Sequence, residues 1–258
     1  MRYFQVNVRE HPTELGYMPT LWLYLLEERD KPRPIVIIAP GGGYVSVNAE
    51  EDRVVSQYNA AGFHAAVLQY SVSPHCFPEP ERDMMLAIGL VRERAEEWGI
   101  LKDRVAICGF SAGGHLCACV STLWKKMGEE RFKPDAAILC HAVLTARLNH
   151  CRNFIAGHVG SVDQEAQELA FCDRQVSNDT PPTFLYTSFE DKLANVENVL
   201  YYGEMLAKYE VPFEMHVLPK GGHCAPWCDD TIWAKPASGR DYNYIRMSVE
   251  WMRELWAL

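Results

Sequence analysis

RVAICGFSAGGHL, residues 104–116, is the stretch on which the fold turns. RVAIC is a short apolar run rich in β-forming residues, and AGGHLCACVSTLW (112–124) has the length and composition of a helix laid on a core. Between them stands Gly109-Phe110-Ser111-Ala112-Gly113, a G-x-S-x-G motif. A serine on such a strand-to-helix turn is forced into a strained backbone and needs small residues on both sides. The turn lifts its hydroxyl above the carboxyl edge of a sheet, where the N-terminus of the following helix favours negative charge. Ser111 is therefore the candidate nucleophile.

Outward from this turn, short β-rich runs alternate with helix-length segments. Strands are expected at about 4–8, 20–26, 34–39, 63–70, 104–109, 135–140, 182–188 and 212–218, and helices at about 50–61, 81–98, 112–127, 194–208 and 240–256. This is the pattern of a mostly parallel sheet of about eight strands with helices on both faces, an α/β fold. IVIIA and AAILC are apolar throughout, as central strands covered on both sides must be. Only HPTELGYMP separates the first two runs, which predicts an antiparallel hairpin at one edge. In 83–98, Met84, Ile88, Val91 and Ala95 form one apolar stripe. Residues 145–180 break the rhythm and read as a small lid-like insertion in one domain spanning 1–258.

Two further loops supply what a nucleophilic serine needs. Gly41-Gly42-Gly43-Tyr44 follows PIVIIAP, and consecutive glycines let backbone N–H groups approach a ligand where a Cβ would collide. The N–H groups of Gly42, Gly43 and Ala112 are the candidate oxyanion donors. Lys220-Gly221-Gly222-His223 follows the last strand, and His223 is the candidate general base. After the seventh strand, SFED offers Glu190 and Asp191; Asp191 is taken as the acid that fixes the histidine's tautomer, with Glu190 the alternative. His115, on the serine's own helix, and His216, inside a strand, read as packing residues, while His141 and His150 are placed to line the site mouth.

The stretches IIAPGGGY, ICGFSAGGHL, TPPTFLYTSFED, VEN and LPKGGHC together resemble the bacterial acetyl-esterase and carbohydrate-esterase-like branch of the α/β-hydrolases, near the hormone-sensitive-lipase group. The chain order serine, acid, histidine agrees with that fold. The resemblance implies an α/β-hydrolase in which Ser111, Asp191 and His223 carry catalysis and the glycine loop holds the oxyanion. It further implies a serine esterase acting on short-chain carboxylic esters, above all acetyl groups on carbohydrates such as xylan-derived sugars. Other chemistries on the same frame are a formamidase, a peptidase or a non-catalytic ligand-binding homologue. Pro40 departs from the pattern, in that many relatives have histidine there. Tyr44, Trp227 and Trp233 are candidate aromatic surfaces for stacking on a sugar ring.

Composition narrows the partners. With 25 Lys+Arg against 34 Asp+Glu the formal net charge is -9, the wrong sign for nucleic acid or an anionic membrane. A neutral small-molecule ester fits. The first residues hold no apolar signal segment, and nine cysteines at scattered positions read as reduced thiols of a cytoplasmic protein. His223, Cys224 and Cys228 fall short of a four-ligand metal set, so no metal or cofactor is expected. A homo-oligomer is left open.

Overall fold

The computed structural model describes residues 1–27, 31–47, 52–160, 163–223 and 243–258. Its strands are β1 Arg2–Asn7, β2 Thr20–Leu25, β3 Arg33–Ala39, β4 His64–Gln69, β5 Ile100–Phe110, β6 Ala136–Cys140, β7 Thr183–Ser188 and β8 Phe213–Leu218. The helices are α1 Asp52–Ala60, α2 Glu79–Glu93, α3 Ala95–Trp98, α4 Ala112–Met127, α5 Asn149–Val159, α6 Gln164–Ala170, α7 Cys172–Gln175, α8 Glu197–Lys208 and α9 Tyr244–Trp256.

The strands form one sheet in the order β1-β2-β4-β3-β5-β6-β7-β8. β1 and β2 pair antiparallel, β2 pairs antiparallel with β4, and every other neighbour is parallel. The edge hairpin expected from the short 8–19 connection is thus present. Successive residues of the apolar strands serve opposite faces. Ile35 and Ile37 pack with α2 and α4, whereas Val36 and Ile38 pack with α1 and α9. That two-sided demand is why IVIIA has no polar position: each side chain is covered whichever way it points.

The regular elements differ from expectation in three places. The 81–98 helix is two, α2 and α3, meeting at Arg94, and it ends on Gly99 in the left-handed conformation (φ 70°). β5 begins four residues before the apolar run, because Ile100 pairs with Arg33. The 145–180 segment is helical: α5, α6 and α7 occupy it. Cys151, Ile155 and Val159 recur four apart and face inward, so this stretch is folded against the core. Its apolar residues come in short clusters such as Phe154-Ile155-Ala156, and no long run advertises it.

At the start of β4 His64 is buried with both ring nitrogens engaged. Its Nδ1 accepts from the Leu26 N–H at 3.0 Å and its Nε2–H donates to the Gly99 carbonyl at 3.0 Å. Burial, only partly offset by the Gly99 bond, pushes its pKa down to about 4. Among the described residues no helix is long and apolar enough to cross a membrane.

Candidate active site

Ser111 joins β5 to α4 with φ 53° and ψ −114°, a conformation that strains any residue with a Cβ. The flanking glycines show why the motif is G-x-S-x-G. A Cβ on Gly109 would lie 2.1 Å from the Gly113 carbonyl oxygen, and one on Gly113 would lie 2.1 Å from that of Ala39. β5, α4 and the end of β3 therefore meet backbone to backbone. The Ser111 N–H donates to Cys140 O at 3.0 Å, and its carbonyl accepts from the His115 N–H at 3.0 Å. Little freedom remains at the serine.

His223 reaches this hydroxyl from the loop after β8. Its Nε2 stands 2.8 Å from Ser111 Oγ, and its Nδ1 lies 2.9 and 3.1 Å from the two oxygens of Asp191. An acceptor carboxylate at Nδ1 places the ring proton there, leaving Nε2 to accept from the serine. The loop is tied down by Ser188 Oγ, which donates to the Gly221 carbonyl.

Asp191 is 1% exposed. Its Oδ1 also accepts from the Leu193 and Ala194 N–H groups at 2.9 Å each, and its Oδ2 from His141 Nδ1 at 2.8 Å. Burial alone would raise its pKa. The hydrogen bonds from His141, His223 and Ala194 outweigh it and hold the carboxyl well below the usual carboxylate range. Glu190 points elsewhere: it pairs with Lys220 at 2.8 Å and accepts from the Gly221 N–H at 3.2 Å. Of the two acids in SFED, only Asp191 meets the histidine.

His141 is the residue sequence reasoning missed. It follows β6 and was expected at the site mouth, but it is buried behind Asp191, its ring nearly perpendicular to that of His223 with centroids 5.9 Å apart. Two imidazoles share one carboxylate. Asp191 stands fifty residues further along the chain, so no local spacing signals the pair.

The glycine loop sits beside the serine. Gly42 has φ 140°, and a Cβ there would lie 2.0 Å from the Ser46 carbonyl; Gly43 has φ 63°. The Val45 and Ser46 N–H groups both donate to Gly42 O, which fixes the turn. Ala112 is the first residue of α4, where an N–H has no intrahelical acceptor. A cavity of about 520 Å³ opens over Ser111. Its floor is Gly41, Gly42, Gly43, Ser111 and His223, and its walls are Val143, His150, Cys151, Phe154, Lys192 and Leu193. His150 lines the mouth, as expected.

Tyr44 does not. Its ring is 3% exposed and stacks on His158 at 3.5 Å between centroids, and its hydroxyl is 2.8 Å from His115 Nδ1. The positive φ of Tyr44 (60°) accompanies this inward placement, so a sugar-stacking role is withdrawn for this residue. Trp227, Trp233, Cys224 and Cys228 lie outside the described residues. His115 is buried, and His216 pairs with Glu214 at 2.6 Å, both packed as expected. Among the described residues, metal-ligating atoms converge in three groups: His141, Asp191 and His223; Glu81, His115 and His158; and His115, Cys119 and Cys172.

Residues 83–254 match the prolyl oligopeptidase family, and residues 21–138 match the family described as BD-FAE. Endo-1,4-beta-xylanase B of Butyrivibrio fibrisolvens is 27% identical over 256 residues, covering 93% of this chain and 40% of that protein. The acetylxylan esterase of Xylanibacter ruminicola is 30% identical over 207 residues, covering 77% of this chain and 42% of that protein. The chain thus spans about two fifths of the length of these curated relatives. The acetyl ester-xyloside bifunctional hydrolase of Caldicellulosiruptor lactoaceticus superposes with a TM-score of 0.85 at 29% identity, over 98% of this chain and 97% of that one. The Lactobacillus plantarum carboxylesterase Cest-2923 superposes with a TM-score of 0.81 at 21% identity, covering 100% and 99% of the two chains, a likeness of fold.

Proposed function

We propose an activity for this chain from the family it belongs to, the prolyl oligopeptidase family of α/β-hydrolases: it hydrolyses short carboxylic esters through an acyl-serine intermediate. Ser111 Oγ attacks the ester carbonyl while His223 Nε2 takes its proton. The oxyanion is held by the N–H groups of Gly42, Gly43 and Ala112. His223 returns the proton to the leaving alcohol, and water repeats the sequence on the acyl-enzyme. Asp191 stays ionised and stabilises the imidazolium, while His141, which touches neither serine nor substrate, acts as a positioning residue for Asp191.

The observation that carries this reading is the unbroken line of hydrogen bonds Ser111 Oγ–His223–Asp191, 2.8 Å and 2.9 Å long, opening onto a cavity. Apolar walls at Val143, Phe154 and Leu193 suit a short acyl group, and an overall negative charge suits an uncharged ester. Likeness to an acetylxylan esterase and an acetyl ester-xyloside hydrolase supports, for this chain, acetyl groups on xylan-derived sugars as the substrate class.

The test is a panel of acetylated mono- and oligosaccharides, p-nitrophenyl acetate, and formyl and peptide amides, run on wild type and Ser111→Ala. Acetyl-sugar hydrolysis should exceed that of the amides, and Ser111→Ala should lower kcat by about 10⁵-fold or more. Preference for the amides would refute the esterase reading. Acetylated sugars turned over no better than p-nitrophenyl acetate would remove the carbohydrate assignment alone.

A further inference from the structure

Beneath the helices after β6 lies a cluster of polar side chains that the proposed ester chemistry does not use. His115 and Cys119 stand one turn apart on α4, and Cys172 opens α7 against them. All three are fully buried. The Sγ atoms of Cys119 and Cys172 are 3.5 Å apart, and Cys119 Sγ is 3.6 Å from His115 Nε2. The Ala170 carbonyl oxygen closes the group, 2.9 Å from His115 Nε2, 3.7 Å from Cys172 Sγ and 4.0 Å from Cys119 Sγ.

These separations can be compared with a metal's demands. Zinc bonds of about 2.3 Å to sulfur and about 2.0–2.1 Å to nitrogen imply tetrahedral edges of roughly 3.8 Å between sulfurs and roughly 3.6 Å between sulfur and nitrogen. The Cys119–Cys172 sulfur pair and the Cys119 Sγ–His115 Nε2 pair already stand at those spacings to within about 0.3 Å. Two thiolates and an imidazole are soft donors, which select zinc over hard cations such as calcium or magnesium.

We propose that His115, Cys119 and Cys172, with the Ala170 carbonyl as fourth donor, form a structural zinc site that clasps the 149–175 helices onto the helix following Ser111. Binding expels the two thiol protons, and the pair of thiolates balances the dication, so no net charge is buried. The supporting shell is present. Tyr44 Oη lies 2.8 Å from His115 Nδ1, so an Nδ1–H donated to it leaves the Nε2 lone pair for the metal. Glu81, the nearby acid, has its own partner in His158 Nε2 at 3.0 Å. None of the three ligands lines the cavity over Ser111, so the site stands or falls independently of the ester reading.

The full chain, purified from zinc-supplemented medium and passed over a chelating resin, should retain about one zinc per chain, and Cys119→Ala/Cys172→Ala less than about a tenth of that. Chain grown with cobalt instead should show a thiolate-to-cobalt charge-transfer band, a readout that needs no variant to fold. Wild type free of zinc and lacking the cobalt band would overturn the proposal. So would equal zinc in the double variant, or a native mass two hydrogens light from a Cys119–Cys172 disulfide.

Discussion

Ser111 and His223 meet at 2.8 Å, yet the two turns that bring them there are built in opposite ways. The serine turn is fixed by backbone fit: β3, β5 and α4 pack so closely at Gly109 and Gly113 that no Cβ is admitted. The histidine turn has no such fit, and among the described residues a Cβ on Gly222 would meet nothing within 4 Å. His223 is oriented by side-chain hydrogen bonds instead, through Asp191 and, behind it, His141. A nucleophile held by backbone should tolerate loss of its partners without moving. A base held by side chains should lose its aim when the carboxylate behind it changes.

Substitutions at four positions would break or sharpen that contrast. The largest effect is expected on the histidine side, where Asp191→Asn should lower kcat by about 10⁴-fold with little loss of stability, read by steady-state kinetics beside thermal melting. On the serine side the order reverses: Gly113→Ala forces a Cβ against Ala39 O and should destabilise by about 3 kcal/mol or more, seen as a lowered Tm. His141→Phe removes one charged hydrogen bond from Asp191 and should lower kcat about tenfold with KM little changed, while His141→Gln, which keeps a donor, should recover part of it. Gly222→Ala should change stability by less than about 0.5 kcal/mol in the same melting assay.

Away from the site, His64 gives a pH signature. Its folded pKa of about 4 lies below its ordinary 6.5, so between those values the unfolded chain binds a proton that the folded chain refuses. Its contribution is whole above pH 6.5 and declines as pH falls through this window. The Leu26 N–H occupies the nitrogen that would be protonated. Tm should therefore fall on acidification toward pH 4, and His64→Gln, which can still accept and donate, should flatten that slope.

Much of this was legible in the chain because it is local. Apolar runs such as IVIIA and AAILC marked the central strands, shorter β-rich stretches marked the outer ones, and the glycines around Ser111 marked the sharp turn. What escaped depends on contacts between distant residues. Asp191 and Glu190 are adjacent carboxylates, and only the fold shows one turned inward and the other out to Lys220. His141 meets Asp191 across two strand ends, and Cys172 meets Cys119 from a segment that has no long apolar run. Tyr44 looked accessible because it follows the glycine loop, but its ring turns under α5 onto His158.

The claim on which the rest depends is that Ser111 is a nucleophile activated by His223. Treatment of the native chain with a fluorophosphonate probe, followed by peptide mass spectrometry, tests it most directly. The account predicts one adduct per chain, on Ser111, with labelling slowed at least about 10³-fold in His223→Ala. An unlabelled Ser111 in folded protein, or labelling at the same rate without the histidine, would contradict it.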